Sequence, residues 1–162
     1  MSEPLNVLFL CPDNACRSIM AEVLLNRVGQ GRFKAYSAAP KPASKINVYA
    51  EETLEQVGYD VSAKQPQTWD KFVVPTAPRL DAVITLSESL RDARLPIWFS
   101  NPVRVHWGFA APEKVEGEDF ERVGAFRRCY GDMEQQMLKL AGLQVNGARG
   151  FDLEQMLSAI AP

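Results

Sequence analysis

The sequence has little of what several classes of protein depend on. Its 162 residues include only three cysteines and one histidine, and they form no metal-binding motif. No apolar run approaches the roughly 18 residues of a membrane span. Basic residues are not in excess, since the chain has 18 Lys and Arg residues and 20 Asp and Glu residues. This balance argues against nucleic acid as the main partner, although backbone N–H groups can hold a small anion without net positive charge.

Two further absences concern location. The N-terminal segment carries Glu3 where a secretory signal carries lysine or arginine, and its apolar run over residues 7–10 is too short for a signal core. An odd number of cysteines, in a chain long enough to fold without disulfides, suits reduced thiols. We therefore expect a cytoplasmic protein without a membrane span, folded as a single domain over residues 1–162.

The chain does contain an alternation of apolar runs and helix-period stretches, which is typical of an α/β fold with a parallel sheet. Strands are expected over residues 5–10, 33–38, 80–86 and 103–107. Helices are expected over residues 17–28, between Asn47 and Gly58, over 118–141, as one turn near Trp69 and as a short stretch capped by Asp152. Short right-handed connections favour strand order 2-1-3-4. The sequence thus predicts a three-layer, flavodoxin-like sheet of four parallel strands with helices on both faces, and residues 143–162 as a C-terminal extension.

The loop after the first strand carries the candidate chemistry. In an open α/β sheet, ligands bind beyond the carboxyl ends of the central strands, and Cys11 is the residue at that end of the first strand. The Cys-x5-Arg spacing from Cys11 to Arg17 predicts a short loop that folds around a single point in front of a helix N-terminus. The unpaired N–H groups of that helix start attract an anion. The same field is expected to lower the pKa of Cys11. The predicted oxyanion-binding loop consists of Pro12, Asp13, Asn14, Ala15, Cys16 and Arg17.

Several side chains of this segment suit a reaction on a tetrahedral oxyanion. Arg17 offers a planar fork for two oxygens, Ser18 can donate a hydrogen bond to the sulfur, and Asn14 tolerates a left-handed turn. Cys11 would then attack phosphorus or arsenic as a nucleophile. The alternative for Cys11 is a buried structural cysteine, since free cysteines are commonly buried. Cys16 is either a resolving thiol or a packing residue.

The segments around this loop resemble a known family. Residues 7–11 and 17–22 are similar to the active-site segment of low-molecular-weight protein tyrosine phosphatases and of the arsenate reductases that share their fold. The similarity extends over about residues 5–143, and its layout most resembles bacterial arsenate reductases. Five further segments carry it: residues 35–38, 82–85, 106–109, 116–117 and 125–127.

This resemblance implies roles for individual residues. It implies Cys11 as nucleophile, Arg17 as oxyanion clamp, Ser18 as donor to the thiolate, and Asn14 and Ser37 as loop supports. It also matches Cys11 and Cys16 to a cysteine pair that inactivates some such phosphatases by oxidation. Some related reductases hold a potassium ion near this loop, for which the weak candidates are Asn14, Glu22 and Ser37.

The sequence departs from the family pattern at the general acid and inside the loop. The family's acid is an aspartate before a proline, and Ala111 stands in its place. Losing such an acid costs roughly 10²–10⁴-fold in rate. Glu113 and Asp119 are nearby carboxylates that could substitute. In the loop, Pro12 removes one N–H donor and Asp13 adds a negative charge, so both changes weaken anion binding.

A second departure concerns the cysteine relay of thioredoxin-coupled arsenate reductases. Ser87 and Leu95 stand where the family's two further cysteines would align. Cys129, on the long helix, is expected to be inert, and His106 is expected to be a strand residue rather than a ligand. The chain therefore lacks the usual thiol relay.

Three functions remain open from the sequence. The preferred one is a phosphatase of the low-molecular-weight tyrosine type, impaired by loss of the acid. The next is an arsenate reductase that uses Cys11 with Cys16 or an external small thiol, and the last is an inactive oxyanion-binding homologue. The expected partners are a phosphate, sulfate or arsenate-type anion, with a phosphotyrosine protein or a small thiol as co-substrate. No cofactor and no metal is predicted.

Overall fold

Four parallel strands lie at the centre of the structure, a computed structural model that describes residues 3–162. They are β1 (Leu5–Leu10), β2 (Phe33–Ala38), β3 (Ala82–Thr85) and β4 (Val103–His106). Their order is β2-β1-β3-β4, and each strand pairs in parallel with its neighbour, so the predicted topology is confirmed. Met1 and Ser2 belong to the N-terminal segment that is not expected to be a secretory signal, and they lie outside the described residues.

Within residues 3–162, five α-helices and two short 3-10 helices connect and cover these strands. The α-helices are α1 (Arg17–Val28), α2 (Val48–Gln56), α3 (Glu88–Arg91), α4 (Asp119–Ala141) and α5 (Gly150–Ala159), and the 3-10 helices are Trp69–Phe72 and Pro112–Lys114. No helix in this part of the chain is both long and apolar enough to cross a membrane.

The two faces of β1 enter two separate cores, because successive side chains of a strand point to opposite faces. Val7 and Phe9 pack in the larger core with α1, α2, α4 and α5. Leu8 and Leu10 pack on the other face with α3 and the Trp69–Phe72 turn. The predicted helices on both faces are confirmed, and the second face is covered by the shorter elements.

Several predicted elements agree closely with the structure. β1, α1 and β2 have the predicted bounds, and the predicted turn at Trp69 is present as a 3-10 helix. The Asn47 side chain caps α2 by accepting the N–H groups of Tyr49 at 2.8 Å and Ala50 at 3.3 Å. β3 is shorter than predicted at both ends, and at its start the Asp81 carboxylate, instead of a strand carbonyl, accepts the Asn6 N–H at 2.8 Å.

Other predictions about the elements are wrong. Asp152 does not cap α5, because that helix already begins at Gly150, whose φ of 58° suits glycine, with Arg149 at the N-cap. α3 and the Pro112–Lys114 turn were not predicted, because both are too short to show a helical period.

Candidate active site

Cys11 and Ser18 meet at the carboxyl end of β1. Cys11 Sγ lies 2.8 Å from Ser18 Oγ, and both side chains are buried. Asn14 Nδ2 donates to the same hydroxyl oxygen at 2.7 Å, while Asn14 Oδ1 accepts the backbone N–H of Gln67 at 2.9 Å. Because a backbone N–H can only donate, the Gln67 bond fixes the orientation of the Asn14 amide. The Ser18 hydroxyl thus accepts from Asn14 and donates to the sulfur once Cys11 is ionised.

Backbone hydrogen bonds hold the β1–α1 loop (residues 11–16) from the outside. The carbonyl of Asp13 accepts the N–H of Ala43 at 2.9 Å, and the carbonyl of Ala15 accepts the N–H of Asn47 at 3.0 Å. Asn14 lies in the left-handed region with φ of 55°. Two carbonyl oxygens, which would repel an anion, are thereby directed away from the centre of the loop.

The start of α1 lies directly behind this loop. Cys16 is the N-cap residue, its side chain makes no capping bond, and the first turn holds no acidic residue. The first bond of the helix runs from the N–H of Met20 to the carbonyl of Cys16. The N–H groups of residues 17–19 therefore have no acceptor inside the helix, and the positive end of the helix dipole faces the loop. This arrangement attracts an anion.

The side chain of Arg17, the first residue of α1, is buried against the segment that follows β4. Its Nη1 donates to the carbonyl of Phe109 at 2.9 Å, and its Nη2 lies 3.8 Å from Glu113 Oε1. Arg17 is only 5% exposed, yet Nε finds no hydrogen-bond acceptor among residues 3–162. A buried donor without a partner costs stability. An oxyanion held in the β1–α1 loop would supply that acceptor.

Burial decides the acidity of the cysteines. The sequence predicted a lowered pKa for Cys11, but desolvation raises its pKa above the ordinary value, with Asp13 adding to the rise. The Ser18 hydroxyl and the N–H groups of Ser18 and Asn14 oppose this increase. Burial, followed by the nearby Glu113 carboxylate, also raises the pKa of Cys16. The helix start was visible in the sequence, whereas the exclusion of water was not.

The third thiol, on α4, is set apart from this chemistry. Burial raises the pKa of Cys129 to about 12, with the Arg17 charge acting in the opposite direction. All three cysteines are free. At neutral pH Cys129 is therefore a protonated, unreactive thiol.

Ser37 supports the loop indirectly. Its hydroxyl donates to Glu22 Oε1 at 2.9 Å, and its carbonyl accepts from the Gln67 side chain at 3.0 Å. The other oxygen of Glu22 pairs with the Lys64 ammonium group. The side chains named as weak potassium candidates are thus already partnered, with Lys64 supplying the positive charge beside Glu22. Within residues 3–162, no group of three or more His, Cys, Asp or Glu side chains is placed to hold a metal ion.

The two carboxylates that could replace the general acid lie in different places. Ala111 precedes the Pro112–Lys114 turn, and Glu113 of that turn points to Arg17. Asp119, at the start of α4, instead accepts a hydrogen bond from the Tyr49 hydroxyl at 2.7 Å. Only Glu113 is therefore brought against the Arg17 side chain, by an interaction that no sequence spacing indicated.

The positions of the missing relay hold other groups. Ser87, buried after β3, bonds to Ser89 at 2.9 Å, and Leu95 is partly buried. His106 ends β4, as predicted for a strand residue; its Nδ1 lies 2.7 Å from Thr85 Oγ1.

Comparison with known proteins decides the family. The sequence profile described as "low molecular weight phosphotyrosine protein phosphatase" matches residues 6–149. The chain belongs to this family. Its sequence relatives include an arsenate reductase of Halalkalibacterium halodurans, 34% identical over 135 residues that cover 83% of this chain and 94% of the relative. An arsenate reductase of Bacillus subtilis is 30% identical with the same coverage.

Solved structures share this fold. An arsenate reductase in its phosphate-binding state matches with a TM-score of 0.64 and 25% identity, covering 85% of this chain and 96% of that one. A Vibrio vulnificus protein, Wzb, in complex with benzylphosphonate matches with a TM-score of 0.67, covering 85% and 97% of the two chains. At 15% identity, the second match bears on the fold alone.

Proposed function

We propose that this chain is a cysteine-dependent enzyme of the phosphatase type, which binds a phosphate-like oxyanion in the β1–α1 loop and attacks it with Cys11. One observation carries the proposal: a buried sulfur lies 2.8 Å from Ser18 Oγ in the first turn of α1, the helix whose first residue, Arg17, has a buried Nε without a partner in the described chain. A loop that served packing alone would gain nothing from that unpaired donor. Three free thiols also suit the reducing, cytoplasmic location expected from the sequence.

The reaction would proceed in two steps. Cys11 Sγ forms a bond to phosphorus while the bond between phosphorus and the leaving oxygen breaks, and the leaving oxygen departs as an anion that takes up a proton from water. Ser18 stabilises the thiolate before the attack, and Arg17 with the N–H groups at the start of α1 binds the oxygens on which charge develops. Water then breaks the sulfur–phosphorus bond, which releases phosphate and restores Cys11.

We expect this activity to depend strongly on the leaving group. Ala111 offers no proton, and such a loss costs roughly 10²–10⁴-fold when the departing oxygen is basic. An activated aryl ester, whose leaving group departs as a stable anion, is affected least. The proposed enzyme is therefore a weak phosphatase on phosphotyrosine and a better one on p-nitrophenyl phosphate.

A second candidate is arsenate reduction, which the relatives named arsenate reductase favour. Cys11 would form a bond to arsenic as one oxygen leaves as water. A second thiol would then attack Cys11 Sγ, so that a disulfide forms and two electrons pass to arsenic, which is released as arsenite. Burial and Glu113 raise the pKa of Cys16 and so slow its attack on Cys11 Sγ, which makes an external small thiol, where one is present, the faster second nucleophile.

The two activities separate in one set of assays. Wild type and Cys11→Ser are compared on p-nitrophenyl phosphate, on a phosphotyrosine peptide, and on arsenate with glutathione. Hydrolysis of the activated ester that depends on Cys11 supports the phosphatase, and thiol-dependent arsenite release supports the reductase. If phosphate binds but neither reaction occurs, the chain is an inactive oxyanion-binding homologue. Turnover by Cys11→Ser would contradict the proposal.

A further inference from the structure

A carboxylate stands against the arginine of the proposed oxyanion site. Glu113 Oε1 lies 3.8 Å from Arg17 Nη2, too far for a hydrogen bond, and is buried without a hydrogen-bond partner among residues 3–162. The Cys16 thiol lies near enough to donate a hydrogen bond to the Glu113 carboxylate, and the charge of Glu113 acts on both Cys16 and Cys129. Arg17 is the cation that Glu113 faces, and an anion bound to Arg17 would sit beside this carboxylate.

The β1–α1 loop adds a second negative charge and withholds N–H donors. Asp13 Oδ1 accepts the N–H of Ala15 at 3.1 Å, which occupies a donor that an anion could use. Pro12 has no N–H at all. A bound oxyanion would therefore meet the Arg17 charge together with the negative charges of Asp13 and Glu113.

The product of the ligand's charge and the charge of Glu113 sets the repulsion between Glu113 and a bound oxyanion. The Coulomb energy between a ligand and Glu113 is proportional to the ligand's charge, so repulsion is twice as large for a doubly charged ligand as for a singly charged one. A singly charged oxyanion can take the place of Glu113 as the partner of Arg17 without adding surplus negative charge. A doubly charged one brings surplus charge against a buried oxygen.

We propose that Glu113 shifts the selectivity of this site away from doubly charged and toward singly charged tetrahedral oxyanions. The proposal rests on the proposed function, because it places the anion against Arg17 in the β1–α1 loop. It also bears on the missing acid. A singly charged phosphate monoester carries a proton on a phosphoryl oxygen, and that proton can pass to the leaving oxygen as Cys11 attacks, where Ala111 provides none.

The test compares two probes that differ in charge alone. Tungstate and perrhenate are tetrahedral, isoelectronic oxyanions of similar size, with two negative charges and one. Their affinities are measured by calorimetry at mildly alkaline pH, and protection of Cys11 from alkylation locates the binding. The variant is Glu113→Gln, in a side chain that is 24% exposed. The control is Glu116→Gln, which removes the same charge from an exposed residue nearby.

Removing the charge should relieve twice as much repulsion on tungstate as on perrhenate. We expect Glu113→Gln to strengthen perrhenate binding about threefold and tungstate binding about tenfold. These factors correspond to a gain in binding free energy that is about twice as large for tungstate as for perrhenate. Glu116→Gln should change both affinities by a small and similar factor. That pattern supports selection by Glu113.

Other outcomes overturn the proposal in distinguishable ways. Equal losses for both probes in Glu113→Gln would mean that the carboxylate positions Arg17, and no change beyond the Glu116→Gln control would mean that it is irrelevant to binding. Both results overturn the selectivity while leaving the oxyanion site intact. If neither probe binds or protects Cys11 in wild type or Glu113→Gln, both the proposed oxyanion site and the proposed selectivity are wrong.

Discussion

The Ser18 hydroxyl is the group whose removal tests the nucleophile most directly. It lies 2.8 Å from Cys11 Sγ, and its orientation is set by Asn14 Nδ2 at 2.7 Å. Burial raises the pKa of Cys11, and Ser18 is the largest of the influences that lower it. Ser18→Ala should therefore raise the pKa of Cys11 further and slow every reaction that needs the thiolate.

The size of the effect follows from the hydrogen bond that is lost. A hydrogen bond to a charged group contributes about 1.5–3 kcal/mol, and each pKa unit corresponds to about 1.4 kcal/mol. The upper end would be two units, but the N–H groups of Ser18 and Asn14 still face the sulfur in the variant. We therefore expect a rise of about one unit, which lowers the thiolate fraction about tenfold below the pKa.

The assay is the alkylation rate of Cys11 by iodoacetamide as a function of pH, followed by peptide mapping to separate the three thiols. Ser44→Ala, at an exposed serine, is the matched control. Slow alkylation of buried Cys129 reports that the variant remains folded. An unchanged or faster reaction of Cys11 in a folded Ser18→Ala variant would refute the hydrogen bond to the thiolate.

Three further predictions concern the acid, the thiols and pH. Ala111→Asp should raise kcat/KM on a phosphotyrosine peptide by up to roughly 10²–10⁴-fold, and less on p-nitrophenyl phosphate. Mild peroxide should link Cys11 reversibly to Cys16, as shown by peptide mapping, because a sulfenic acid condenses with a near thiol. Stability should fall as pH rises above about 9, since a buried thiol with a raised pKa binds a proton that the unfolded chain has lost; the slope is about 1.4 kcal/mol per pH unit for each such thiol. Urea unfolding of wild type and Cys129→Ala measures it.

Each of these has a contrary result. Equal rates of wild type and Ala111→Asp on both substrates would show that another group supplies the proton. Peroxide products confined to dimers linked through Cys129 would contradict the pairing of Cys11 with Cys16. A slope in alkaline solution that is the same with and without Cys129 would contradict its raised pKa.

Local patterns explain why much of the fold was predictable. The apolar run of β1 and the helical period of α1 lie next to each other in the chain, so Cys11, Arg17 and Ser18 were placed at one strand–helix junction from spacing alone. The strand order followed from short right-handed crossovers. Asn47 was identified as the cap of α2 because its side chain acts on N–H groups two and three residues away.

Long-range contacts account for what the sequence did not predict. Gln67 orients Asn14 across 53 residues, and Lys64 reaches Glu22 across 42. Glu113 approaches Arg17 through a turn that has no periodicity to detect. The raised pKa of Cys11 was missed for the same reason, because desolvation depends on every element packed around the sulfur.

The hydrogen bonds of Asn14 are consistent with a loop that serves packing alone, but other groups of the loop are not. Asn14 ties the loop to Gln67, so packing alone would account for its two hydrogen bonds and its left-handed backbone. Packing does not account for Arg17, whose buried Nε has no acceptor in residues 3–162, or for the N–H groups at the start of α1 that have no acceptor inside the helix. Unpaired buried donors lower stability. The proposed oxyanion site gives these donors an acceptor, although Ala111 and Ser87 depart from the family pattern.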